Sequence, residues 1–186
     1  MKIDSESGLI PSVPYTCSPN QNKRPDINDI SLVVIHGISL PPGQFGGSGI
    51  RELFTNTLCP TEHPYYASIA ELQVSAHLVI YRDGSIEQFV PFHQRAWHAG
   101  LSSYNGRDKC NDFAVGIELE GTDDTPYSQE QYNTLADVIV ALVEAYPELT
   151  YQKIVGHCDI APGRKTDPGP AFDWSYLQAL IVKADN

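Results

Sequence analysis

No stretch of this 186-residue sequence is apolar for long enough to cross a bilayer. The longest aliphatic run of its first half is Leu32 to Ile35, against the roughly 18 residues a spanning helix needs. The first ten residues hold no apolar segment of the kind that directs secretion, so the chain is expected in the cytoplasm. Basic residues are few: 12 Lys and Arg stand against 23 Asp and Glu, a formal net charge of −11, and the cations are scattered. That excludes the footprint of a nucleic-acid binder and argues against a membrane surface or an anionic wall polymer as partner. A small soluble substrate fits better. Cysteine is scarce, and Cys17, Cys59, Cys110 and Cys158 lie too far apart for a zinc finger or a redox motif. Without a secretion signal they are expected as reduced, buried or half-buried small side chains.

What is present is a chain of one-domain length with enough apolar residues for a real core. Residues 1–30 are proline- and Asn/Asp-rich without hydrophobic period, and are expected as an irregular arm. Ser31 to His36 reads as a buried central strand. Residues 37–73, with Pro41-Pro42-Gly43, Gly46-Gly47, Pro60 and Pro64, form a loop-rich insert that shapes a groove, with short helices near 50–54 and 67–72. Val74–Tyr81 and Ser85–Val90 predict two strands joined at Asp83-Gly84. In Phe113–Leu119 the odd residues predict one apolar strand face and Ala114, Gly116 and Glu118 the other. Ser128 and Gln131 form a capping-box pattern ahead of a helical stripe from Tyr132 to Tyr146, which Pro147 stops. Lys153–His157 reads as a further strand, and Asp173 as the cap of a last helix. The order predicts a single α/β domain with a central mixed sheet flanked by helices.

The chemically informative residues stand at strand ends. His36 closes Leu-Val-Val-Ile-His, His157 closes Lys-Ile-Val-Gly-His, and Glu118 lies near the end of Ala-Val-Gly-Ile-Glu-Leu-Glu. Open α/β sheets bind ligands beyond the carboxyl ends of their strands. After His157, a loop stiffened by Pro162, Pro168 and Pro170 presents Lys165 and Asp167. Two imidazoles and a carboxylate suit a catalytic zinc that keeps one position open. Spacing alone leaves open the reading that these histidines are structural. His77 reads as a packed, hydrogen-bonded strand histidine rather than a ligand. Glu120 reads as a solvated strand residue.

The words Val-Val-Ile-His36-Gly-Ile-Ser-Leu-Pro-Pro-Gly, Arg-Ala-Trp-His98-Ala-Gly, Gly-Ile-Glu118-Leu-Glu-Gly, Gly-His157-Cys and Lys165-Thr-Asp167-Pro-Gly-Pro resemble those of the AmpD-type N-acetylmuramoyl-L-alanine amidases, within the amidase-2 and peptidoglycan-recognition superfamily. The resemblance runs from about Pro14 to the last helix. It implies Zn²⁺ held by His36, His157 and Asp167, with Glu118 as the acid/base and Lys165 stabilising the oxyanion. It also implies a substrate: 1,6-anhydro-muropeptides, cut between N-acetylmuramic acid and L-alanine during cytoplasmic wall recycling. Trp97 and His98 stand as substrate-binding positions, although packing of the hairpin accounts for His98 equally well. This chain departs from the pattern in three places. Ala76 stands where other branches carry a tyrosine, and Gly37 where relatives commonly carry asparagine. Gln73 and Lys109 replace two arginines that hold the stem peptide, and are expected to contact it here. Two rivals remain: an amidase acting on polymeric peptidoglycan, and a non-catalytic muropeptide-binding protein.

Overall fold

The computed structural model describes residues 1–184. In chain order it contains β1 (Gln21–Lys23), β2 (Leu32–Ile38), α1 (Gly49–Phe54), α2 (Tyr66–Ile69), β3 (Leu78–Ile80), β4 (Ile86–Gln88), β5 (Gln94–Ala96), β6 (Ser103–Tyr104), β7 (Arg107–Asp108), a 3₁₀ turn (Cys110–Asp112), β8 (Ala114–Glu120), α3 (Gln129–Ala145), β9 (Ile154–Gly156), α4 (His157–Ile160) and α5 (Trp174–Ala184). A five-stranded sheet runs β4-β3-β8-β2-β9. The three pairings among β3, β8, β2 and β9 are parallel, and β4 closes one edge antiparallel. The Asp83-Gly84 turn makes that reversal: Gly84 takes φ +80°, and the Asp83 carboxylate accepts both the N–H and the hydroxyl of Ser85.

Period-two alternation along β2 and β8 divides the sheet into two faces. Val33, Ile35, Val115, Ile117 and Leu119 join a core cluster with Leu135, Ile139 and Leu142 of α3 and Leu177 and Ile181 of α5. Each such fully buried side chain contributes roughly 1.5–3 kcal/mol. The start of α3 is tied to this sheet. Ser128 Oγ accepts the Gln131 N–H, and the buried Gln131 amide donates to the carbonyls of Ile80 and Glu120 at the ends of β3 and β8. At α5 the Asp173 carboxylate accepts the Tyr176 N–H at 2.9 Å. The other face carries Leu32, Val34 and Ala114 and then, toward the strand ends, His36, Gly116 and Glu118.

Four expectations need correction. The arm is not wholly irregular, since β1 pairs antiparallel with β5; its polar Gln-Asn-Lys sequence carries no apolar period to read. The arm also inserts Arg24, whose buried guanidinium donates to the carbonyls of Phe92, Asn111, Asp112 and Ala114. Of the strand expected over 74–81 only Leu78–Ile80 forms; Ser75 instead exchanges hydrogen bonds with Trp97. Phe113 precedes β8 with ψ 0° and packs with Leu32, Val34 and Ala114, on the face opposite to Val115. His157 is the first residue of α4, not the last of a strand, because Asp159 Oδ2 accepts the Gly156 N–H at 2.7 Å and turns the chain there. Cys110 is buried, Cys59 and Cys158 are partly so and Cys17 is exposed, all as free thiols.

Candidate active site

His36 and Glu118 are side-by-side partners in the parallel β2–β8 ladder. Both belong to the face opposite α3 and α5. His157 enters from β9, on the other side of β2. Asp167 is brought back by its own loop: its carbonyl accepts the Cys158 N–H at 3.0 Å, and the next carbonyl, of Pro168, accepts the buried Tyr127 hydroxyl at 3.0 Å. Gly37 explains itself here, because a Cβ at that position would collide with the Tyr127 hydroxyl.

Three atoms converge. His36 Nδ1 lies 2.9 Å from His157 Nδ1, His157 Nδ1 lies 3.0 Å from Asp167 Oδ2, and His36 Nδ1 lies 3.3 Å from Asp167 Oδ2. His157 Nε2 faces the Ala99 carbonyl at 3.3 Å, so its proton sits there and its Nδ1 is a bare lone pair. Burial pushes His36 down to about 4, which leaves that imidazole neutral at pH 7. Acceptor atoms packed this closely repel unless a cation lies between them. Edges of 2.9–3.3 Å approach the roughly 3.3 Å that four-coordinate bonds of about 2.0–2.1 Å impose. Among the described residues this is the one cluster of His, Cys, Asp or Glu with metal-ligand geometry. The donor set fits a divalent metal.

Glu118 stands beside it. Its Oε2 is shut away from solvent and has no hydrogen-bond partner. Burial and the charge of Asp167 raise its carboxyl well above the ordinary range, against the opposing pull of Lys165. Lys165 is exposed on the Asp167 loop and borders the same cavity, of about 650 Å³. The opposite wall of that cavity is apolar and comes from the 37–73 segment, with Leu40, Leu53, Phe54, Tyr65 and Ile69.

The remaining expected positions divide. Trp97 borders the cavity, its indole N–H fixed on Asn22 Oδ1 at 2.6 Å. His98 borders it too but is held by protein contacts, with Nδ1 3.0 Å from His36 Nε2. Gln73 and Lys109 are exposed and border no part of it, although Gln73 sits between two residues that do, Leu72 and Val74. His77 makes the packed contacts its sequence context implies, accepting the Gly116 N–H at Nδ1 and facing the Gln94 carbonyl through Nε2. Glu120 is not solvated. It is buried, and its two oxygens accept the N–H groups of Gly46 and Arg82, tying the insert and the β3–β4 turn to β8. Asn111 was not singled out from sequence. Its side-chain oxygen accepts the N–H groups of His98 and Ala99 at 3.1 and 2.8 Å and so fixes the turn that meets both His36 and His157. The only signal for it was its place in the Cys-Asn-Asp triplet.

Comparison with known proteins shows the family. The sequence matches the family model of N-acetylmuramoyl-L-alanine amidase over residues 26–170. It is 54% identical to the Escherichia coli 1,6-anhydro-N-acetylmuramyl-L-alanine amidase AmpD, over 96% of this chain and 97% of that one. The crystal structure of a selenomethionine AmpD derivative superposes with a TM-score of 0.93, at 54% identity, covering 97% of this chain and 99% of that one. More distant is the E. coli amidase AmiD, solved with the substrate anhydro-N-acetylmuramic acid-L-Ala-D-γ-Glu-L-Lys: TM-score 0.61, 27% identity, 82% of this chain and 57% of that one. Both the family model and the near full-length relatives lead to one conclusion: this chain belongs to the N-acetylmuramoyl-L-alanine amidases.

Proposed function

We propose that the chain hydrolyses the amide between 1,6-anhydro-N-acetylmuramic acid and L-alanine in soluble muropeptides, using Zn²⁺ held by His36 Nδ1, His157 Nδ1 and Asp167 Oδ2. The observation that carries this reading is the three-atom cluster of bare acceptors beside an unpartnered, buried carboxylate oxygen. When bound, zinc polarises the scissile carbonyl and brings the pKa of its water to about 7. Glu118 takes the water proton and delivers it to the departing L-alanine nitrogen. A carboxyl held above the ordinary range by burial is suited to both halves of that task. Lys165 places its ammonium at the cavity edge, where it offsets negative charge developing on the carbonyl oxygen. Trp97 and the apolar wall line the cavity and exclude water from it.

The substrate class rests on the AmpD relatives and on the substrate named for AmiD. A net charge of −11 argues for soluble fragments over an anionic polymer, and with them for wall recycling in the cytoplasm. The test pairs metal analysis with product analysis. Purified protein should carry one zinc, lose turnover to a chelator and regain it with Zn²⁺. It should release the free stem peptide from anhydro-muropeptides much faster than from intact sacculi. Equal release from both would move the assignment to a polymer-degrading amidase, and binding without release to a recognition protein.

A further inference from the structure

His98 lies one step behind the metal cluster and is held more tightly than a substrate contact needs. Its backbone N–H is taken by Asn111 Oδ1. Its ring lies flat on the strand at Gly116, where an added Cβ would come within 2.6 Å of His98 Nδ1 and 2.7 Å of Cδ2. Glycine at that place in β8 is therefore a bed for the ring. From that bed His98 Nδ1 meets His36 Nε2 at 3.0 Å. The His98 Nε2 has no partner and no contact with solvent.

The protons then follow by elimination. A neutral imidazole carries one N–H. For His36 Nδ1 to face the cluster as a lone pair, its proton must be on Nε2, and the atom it meets is His98 Nδ1. That nitrogen must then be the acceptor, which puts the His98 proton on Nε2. The opposite arrangement, with the proton on His98 Nδ1, would leave His36 protonated on the nitrogen that faces His157 and Asp167.

We propose that His98 is a positioning residue of the metal centre: by accepting the His36 Nε2–H it fixes the ring orientation and tautomer that turn the His36 Nδ1 lone pair onto the ion. It does for His36 what the Ala99 carbonyl does for His157. The inference rests on the zinc reading above. Partners of this kind typically govern metal affinity by 10- to 100-fold.

The experiment measures zinc affinity by chelator competition in wild type, His98→Phe and His98→Asn, with the melting temperature of each metal-free protein alongside. Phenylalanine keeps a ring on Gly116 and removes the acceptor; asparagine offers an amide oxygen at the same distance from the backbone as Nδ1. Zinc affinity should fall about 10- to 100-fold in His98→Phe and return to within a few-fold of wild type in His98→Asn, with metal-free melting little changed. In zinc-loaded wild type, long-range ¹H–¹⁵N spectra should place the His98 proton on Nε2. Unchanged affinity in a folded His98→Phe would overturn the proposal, as would asparagine performing no better than phenylalanine. So would a His98 proton on Nδ1, a measurement that needs no variant. A wild type that takes up no zinc would instead remove the zinc reading, and this inference with it.

Discussion

On the helix-covered face of the sheet, Val33, Ile35, Val115, Ile117 and Leu119 share one apolar cluster with α3 and α5. On the other face the same two strands carry His36, Gly116, Glu118 and Glu120. The first face is stabilised by area alone, and nothing on it asks for a partner. On the second every polar atom needs one, and the accounting is uneven. Glu120 has both oxygens satisfied by backbone N–H groups, whereas Glu118, two residues earlier, keeps Oε2 buried and unpaired. A buried polar atom without a partner costs about 1–3 kcal/mol. Two carboxylates of the same type on the same face thus differ: one anchors the insert, and the other is left without a structural partner, as the proposed acid/base role requires.

The comparison breaks most visibly at His36. His36→Ala should leave the fold intact, since the helix face is untouched, yet strip the metal and reduce turnover on the order of 10³-fold or more, because two ligands no longer hold the ion. Metal content and turnover measured together decide it; stoichiometric zinc in this variant would place the site elsewhere. The converse change is Ile117→Ala. It should cost about 2–5 kcal/mol of unfolding free energy while leaving zinc content and kcat unaltered at temperatures where the variant is folded. A drop in kcat there would mean that the two faces are mechanically coupled.

Glu118→Gln sharpens the contrast within one strand. Turnover should fall about 10²-fold, roughly 2.7 kcal/mol, with zinc retained. Stability should move the other way in the metal-free protein. The carboxyl is raised by burial and by Asp167, so its contribution is fully present below the unfolded value near 4.3 and is lost as pH rises through the folded value. The variant should therefore gain stability over wild type as pH rises above about 4.3, and match it below. Denaturant titrations at several pH values read this directly. A gap that is constant with pH would show that Glu118 ionises as easily folded as unfolded.

Sequence legibility followed the same division. The helix face was readable because its signals are local or periodic: the alternation Val115-Ile117-Leu119, the Ser128–Gln131 box, the Asp83-Gly84 turn and the Asp173 cap. His36 and His157 were readable as strand-adjacent residues, and their place in long motifs told more than their spacing. What escaped depends on contacts remote in sequence. Glu120 looked solvated because its partners, Gly46 and Arg82, lie 74 and 38 positions away. Asn111 has no periodicity to betray it. β1 is polar and forms only because β5 supplies a partner edge. Phe113 broke the alternation because its ψ of 0° turns it out of the strand before the ladder begins.

The smallest effect is expected at the rim of the site face, where sequence and structure agree least. Gln73 and Lys109 stand where the family resemblance implies two arginines for the stem peptide, yet both are exposed and neither borders the cavity. Lys109 sits at a left-handed φ of +60° at the head of the 3₁₀ turn, so its side chain starts from a fixed point of backbone. Gln73 lies between Leu72 and Val74, within reach of the rim, but a neutral amide cannot offer a carboxylate the charged fork of an arginine. We therefore infer that recognition of the third stem residue is loose in this chain, and that dipeptide and tripeptide stems are cut with similar efficiency. Gln73→Arg should raise kcat/KM for the diaminopimelate-containing tripeptide stem by no more than about fivefold, since an exposed pair contributes at most about 1 kcal/mol. The gain should shrink with added salt, as screening demands. Measuring kcat/KM on both stems, in both proteins, at low and high salt separates the cases. A wild type that already rejects the dipeptide stem a hundredfold, with no change on Gln73→Arg, would show that the peptide is read from inside the cavity and not from its rim.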